Sequence, residues 1–120
     1  MNINMDKTQE YYLSGNSCPC ECDDCQNYIS KIKQKHPNIA SYLASMNIDV
    51  FRPFELMSVD ISDSEIEYFL CQYVVYGSCE DDYSACIDNI QFGKSFSHPS
   101  TNITEEYFVL EFGPIILNRS

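Results

Sequence analysis

The spacing of apolar residues changes once along this chain, and that change limits the folds open to it. From Cys25 to Met46 they recur three and four positions apart, and from Phe54 the period changes to two. The first spacing lays a stripe along one face of a helix; the second lines one face of a strand. Cys25, Tyr28, Ile29 and Ile32 form one helical stripe, and Ile39, Tyr42, Leu43 and Met46 form another, with His36-Pro37 between them. Proline disfavours helical geometry in the residue before it and suits the first turn of a new helix, so two short helices in an angled pair are expected. Asp23 or Asp24 is placed to cap the first, Lys31, Lys33 and Lys35 lie toward its negative pole, and Asn47 stands where a left-handed cap ends the second. Ahead of the pair, Tyr11, Tyr12 and Leu13 before Ser14-Gly15-Asn16-Ser17 read as a short strand and a turn.

In the second half, Met57, Val59 and Ile61 alternate with Ser58 and Asp60 as a half-buried strand, and Ser62-Asp63-Ser64-Glu65 reads as a hairpin turn. The run Ile66 to Gly77 is apolar on both faces, the mark of a central strand. After an acidic loop from Gly77 to Tyr83 come a third strand, Ala85 to Phe92, and a polar loop, Gly93 to Thr104. A last strand, about Tyr107 to Phe112, is broken or bent at Gly113-Pro114 before Ile115-Ile116-Leu117. The expected fold is a single α+β domain over residues 1–120, with two short N-terminal helices packed on one face of an antiparallel meander of about four strands. Nine tyrosines and seven phenylalanines in 120 residues supply a core that needs neither metal nor disulfides.

Eighteen acids against seven bases leave a formal net charge of -11. That balance argues against binding to nucleic-acid phosphates or to an anionic membrane surface, both of which need cationic stripes. No apolar run approaches the roughly 20 residues of a membrane span, and MNINMDKTQE lacks the apolar stretch of a secretory leader, so the cytoplasm is the expected compartment. The charge is uneven: residues 1–60 hold eight acids and five bases, and residues 61–120 hold ten and two. Acids crowd at Asp63, Glu65 and Glu67, at Glu80, Asp81 and Asp82, and at Glu105 and Glu106. The plain reading is solvated turns and strand faces; the sharper one is an acidic surface, Glu80, Asp81 and Asp82 first, that docks on a basic protein such as a nuclease toxin or a DNA-binding protein.

Seven cysteines are many for this length, and Cys18, Cys20, Cys22 and Cys25 form C-x-C-x-C-x-x-C. Thiolates bind zinc tetrahedrally at about 2.3 Å, and the Cys22/Cys25 spacing suits it. All four could hold one ion, or three could do so with Cys71, Cys79, Cys86, His36 or His98 completing the shell. Against zinc, there is no second Cys-x-x-Cys hook, and Glu21, Asp23 and Asp24 add charge to an already dianionic tetrathiolate. A redox pair is a further reading, since a helix N-terminus stabilises a thiolate at Cys25, though Asp23 and Asp24 oppose that. Iron–sulfur spacings differ from this one. The plainest reading is thiols that pack as small hydrophobes, above all Cys71; Cys79 and Cys86 could face one another across the ends of a hairpin.

Other chemistry finds little footing. His36 and His98 each stand beside a proline in an expected turn and belong to no triad motif, no spacing selects a carboxylate pair, and four glycines leave little for a phosphate loop. A catalytic role is therefore not expected. Arg52, between helix and sheet, reads as a structural partner of Asp49 or Glu55, or as an arginine that binds an anion or a partner. Cys20-Glu21-Cys22-Asp23-Asp24-Cys25-Gln26-Asn27-Tyr28, then Asn47-Ile48-Asp49 and Arg52-Pro53-Phe54-Glu55, resemble a group of small bacterial cytosolic proteins. That group carries an N-terminal C-x-C-x-x-C-x-N segment, a short helical pair and a G-I-D…R-P-x-E turn into an antiparallel sheet. This chain departs from it in Asn47, where the group has glycine, and in the added Cys18. The resemblance implies a fold and a compartment, not a reaction. The expected function is thus a cytosolic protein-binding module of immunity- or antitoxin-like kind, with a metal-binding or thiol-redox protein as the alternative.

Overall fold

A computed structural model describes residues 1–14 and 21–119. In chain order the elements are β1 (Asn2–Ile3), α1 (Met5–Leu13), α2 (Asp23–Lys35), α3 (Pro37–Ala44), β2 (Glu55–Asp60), β3 (Glu65–Ser78), β4 (Ser84–Ile87), β5 (Ile90–Lys94), β6 (Tyr107–Gly113) and β7 (Ile115–Asn118). The described residues form a mixed α+β architecture, with three helices and a curled antiparallel sheet.

The long strand β3 organises the rest. From Cys71 to Tyr76 every residue is buried, as apolar character on both faces requires. One side of β3 pairs with β2 and then β1; the other pairs with β6 and β7. β6 and β7 keep a single register, from Tyr76 opposite Tyr107 to Glu65 opposite Asn118, so Gly113-Pro114 interrupts one strand without shifting its pairing. β5 pairs with β6 and β4 with β5. The order β1-β3-β6-β5-β4 is not the sequential meander expected, and the described residues form seven strands rather than about four.

Part of that excess comes from a turn that the sequence hides. The expected third strand, Ala85 to Phe92, is a hairpin of β4 and β5 that turns at Asp88 and Asn89, whose φ values are 54° and 65°. Two adjacent left-handed residues make the tight turn that matches strand twist. Asp-Asn signals it more weakly than Asn-Gly does, because neither residue is free of the Cβ penalty.

The register of β2 on β3 contains a second irregularity. Met57 faces Leu70 but Ser58 faces Tyr68, so Phe69 is an extra residue, a β-bulge. A one-residue slip exchanges the two faces. Ile66 and Tyr68 point into the core before the bulge, and Cys71, Tyr73 and Val75 do so after it. Met57, Val59 and Ile61, expected on a half-buried face, are instead 43%, 47% and 46% exposed, while Leu56 packs on the core. Alternation groups residues by face but does not tell which face the helices will cover.

Helix α2 lays Tyr28 and Ile32, both fully buried, on the sheet. The Tyr28 ring packs against Tyr68, and its hydroxyl meets that of Tyr73 at 2.8 Å, while Tyr73 donates to the Val50 carbonyl at 2.7 Å. Its N-cap is Cys22, not Asp23 or Asp24; those two aspartates occupy the first turn, where they face the positive helix pole. Proline 37 opens α3 as expected, with Ile39 and Leu43 buried and the Tyr42 ring edge-on to Phe92. Asn47 has φ 61°, the left-handed conformation assigned to it from sequence.

The helix α1 replaces the short strand expected around Tyr11, Tyr12 and Leu13. Between β2 and β1, one edge of β3 has no neighbouring strand among the described residues, and α1 satisfies it with side chains. Thr8, fully buried, accepts from the Tyr76 amide at 3.0 Å, and Tyr12 donates its hydroxyl to the Val74 carbonyl at 2.7 Å. The Asn4 amide donates to the Tyr76 carbonyl at 2.9 Å. Closing β1 onto β3 also needs Gly77 (φ 124°), where a Cβ would lie 2.1 Å from the Asn2 carbonyl oxygen. The opposite face of this end carries Val74, Tyr76 and Val109 under Tyr11, Phe54, Ile103 and Tyr107. The loop before β6 is tied there by the Gln72 amide, which donates to Ser95 Oγ and the Ser97 carbonyl, each at 3.1 Å.

Candidate functional site

The N-terminal cysteine cluster is described only in part. Cys18 and Cys20 lie outside the described residues. Cys22 is exposed and caps α2, its Sγ accepting from the Cys25 amide at 3.4 Å, and Cys25 is half-buried. The cysteine pair therefore sits on the first turn of a helix. Asp24, beside it, is bound into the sheet: Ser58 Oγ donates to Asp24 Oδ2 at 2.8 Å, Tyr68 donates to the Asp24 carbonyl at 2.6 Å, and Arg119 bridges Asp24 and Asp60. Among the described residues, no group of three or more His, Cys, Asp or Glu side chains is arranged to hold a metal ion.

The remaining cysteines and histidines fall elsewhere. Cys71 is fully buried on β3, and burial pushes its thiol far up. Cys79 and Cys86 are free thiols, at the end of β3 and on β4; burial also raises the Cys79 thiol. His36 joins α2 to α3 with a buried Nε2 that has no hydrogen-bond partner among the described residues. Burial lowers its pKa, Asp88 opposes this and Lys35 adds to it. His98 holds the Pro99 carbonyl with Nδ1 at 2.9 Å and packs between Phe54 and Tyr107. Arg52 pairs with Asp49 at 3.6 Å.

The acidic residues assemble more than the described cysteines do. Because β3 and β6 run antiparallel, the end of one adjoins the start of the other, with Tyr76 opposite Tyr107 and the Gly77 amide donating to the Glu106 carbonyl at 3.0 Å. Glu80, Asp81 and Asp82, which follow β3, therefore share one end of the sheet with Glu105 and Glu106, which precede β6. Lys7 on α1 adds Glu10 to this end, lying 4.0 Å from Glu10 and 3.8 Å from Glu105. Local cations cover only part of the charge. The Met1 amino group meets Glu80 Oε2 at 2.7 Å, a hydrogen bond that holds the Glu80 carboxyl below the usual range. Lys94 binds Asp81 at 2.8 Å, which raises the lysine in turn. Asp82 and Glu106 are exposed, and neither carboxylate has a hydrogen bond or ion pair among the described residues. A cleft of about 490 Å³ opens beside Glu105, walled also by Lys7, Tyr11, Phe54, Tyr76 and Ile103.

The acid runs themselves are visible in the sequence, but their convergence is not. It depends on β6 pairing with β3, across two intervening strands. No protein-family model, curated protein or solved structure matches this chain. No helix among the described residues is long and apolar enough to cross a membrane.

Proposed function

We propose that this chain is a protein-binding module of the immunity- or antitoxin-like kind, which covers a basic partner in the cytoplasm with the acidic end of its sheet. The observation that carries this reading is the juxtaposition of Glu80, Asp81 and Asp82 with Glu105 and Glu106 by the β3–β6 pairing. Carboxylates gathered on one end of a chain with net charge -11 create a field that steers a cationic partner and speeds its encounter. Asp82 and Glu106 present charge that no intrachain cation offsets among the described residues. The resemblance of residues 20–28 and 47–55 to small bacterial cytosolic proteins supports the compartment.

The test is an association rate. A basic partner captured at low salt and eluted with salt is mixed with the wild-type chain and with the Asp82→Lys/Glu106→Lys variant across a range of ionic strength. Wild-type association should slow steeply with added salt, and the variant should associate at least about ten-fold more slowly at low salt. An equal rate for both would remove this end of the sheet from the proposal.

A second reading rests on the N-cap of α2, where Cys22 Sγ accepts from the Cys25 amide and both cysteines stand at the start of the helix. Such a pair, with Cys18 and Cys20, is a zinc or thiol-redox site. Anaerobic purification followed by metal and free-thiol counts tests it. About one zinc per chain with three or four shielded thiols supports it, and a metal-free chain with seven free thiols overturns the zinc form.

A further inference from the structure

The sheet has a second unpaired surface, at the opposite end of β3, where the chemistry differs. Met57, Val59, Ile61, Phe69 and Ile116 are each between 43% and 47% exposed. They are not scattered. Val59 on β2 stands opposite Glu67 on β3, and Glu67 stands opposite Ile116 on β7, so these three form one row across three strands. The next row is Ile61, whose amide donates to the Glu65 carbonyl, then Glu65, then Asn118. Met57 and the bulged Phe69 continue the surface on the other side. The result is an apolar face split along its middle by the column Glu65 and Glu67. Helices α2 and α3 lie on the other face, where Tyr68 contacts α2, and the cover of Tyr11, Phe54, Ile103 and Tyr107 lies over the far half of β3. Among the described residues β2 pairs only with β3, which leaves the outer edge of Glu55–Asp60 without a neighbour.

We infer that this face and the β2 edge bind an extended segment of a partner protein that alternates apolar side chains with lysine or arginine. Period-two apolar patterning in Met57, Val59 and Ile61 is the signature of a covered strand face, yet this chain leaves it open. Charge selects the occupant. A second copy of the chain would bring Glu65 and Glu67 against like charges, in a molecule already at -11, whereas a cationic strand pairs with them. The free edge supplies backbone hydrogen bonds and the flanking apolar side chains supply contact area, as in strand addition. This inference shares the basic partner of the proposed function but places a separate contact on it.

The probe is a synthetic peptide that alternates valine and lysine, with a valine–glutamate peptide as control, titrated into isotopically labelled protein and followed by amide chemical shifts. The expected result is saturable shifts at residues 57–61, 65–69 and 116 with the lysine peptide and none there with the glutamate peptide. Glu67→Lys should weaken this binding at least about ten-fold, with the spectrum otherwise unchanged, because it puts like charge in the middle of the site. Shifts confined to residues 80–82 and 105–106 would overturn this inference while leaving the acidic end intact. Shifts at 57–69 alone would support it and count against the acidic end. No shifts, or dimers in sedimentation at the titration concentration, would overturn it outright.

Discussion

Replacing Thr8 by valine should lower stability without disturbing shape. The two side chains are nearly the same size and rank together in helix propensity, so α1 should form equally well. What changes is one hydrogen bond: Thr8 Oγ1 accepts from the Tyr76 amide at 3.0 Å, at a position where Thr8 is fully buried. Valine leaves that amide facing a methyl group, and an unsatisfied buried donor costs about 1–3 kcal/mol. Taking about 2 kcal/mol and a urea dependence of about 1.5 kcal/mol per molar, the unfolding midpoint should fall by about 1.3 M with its slope unchanged. The companion Tyr12→Phe removes the donor to the Val74 carbonyl and should cost about 1 kcal/mol. Amide hydrogen exchange supplies the check on mechanism, since the Tyr76 amide should be protected in the wild type and exchange faster in Thr8→Val. An unchanged midpoint, together with a wild-type Tyr76 amide that exchanges freely, would refute the idea that α1 stands in for a missing strand.

Three other outcomes follow from the same structure. Burial raises the pKa values of Tyr12, Tyr28 and Tyr73 well above 10.0, aided by a neighbouring tyrosine at Tyr12 and Tyr28 and opposed at Tyr73 by its hydrogen bond with Tyr28. The folded state therefore keeps them neutral while the unfolded chain ionises near pH 10, so their contribution is fully present below that pH and lost above it, by about 1.4 kcal/mol per pH unit for each tyrosine. Urea midpoints between pH 9 and 11 should fall steeply, and less steeply in Tyr73→Phe; a flat profile would contradict the burial of these hydroxyls. Burial likewise keeps Cys71 a thiol, so a thiol reagent at pH 8 should label exposed Cys22 and Cys86 quickly and Cys71 only on unfolding, as peptide mapping of the labelled chain would show. Asn89, at φ 65°, sits where glycine is free of strain, so Asn89→Gly should be neutral or stabilising by up to about 1 kcal/mol and Asn89→Val destabilising, read from thermal midpoints.

How much of this was legible depended on whether the signal was local. The turn at His36-Pro37, the left-handed Asn47 and the central character of β3 rest on one or two residues, or on a run buried from both sides, and each is seen in the structure. The acid runs were legible as runs. Their meeting at one end of the sheet was not, because it required a strand partner several elements away.

The chain by itself determined the element types over most of its length, because the period of the apolar residues and the conformational limits of proline and asparagine act within a few bonds. Only the tertiary structure decided which face of each strand would be covered. The bulge at Phe69 exchanges the faces of β3, and the outward placement of Met57, Val59 and Ile61 follows from where α2 docks rather than from any pattern within β2. It also decided the fate of residues 5–13, whose period is weak and whose helix is held by the open edge of β3, through Thr8 and Tyr12. Backbone groups on that edge must find partners once water is excluded, and a segment of α1's sequence alone does not reveal which edge it will be asked to satisfy.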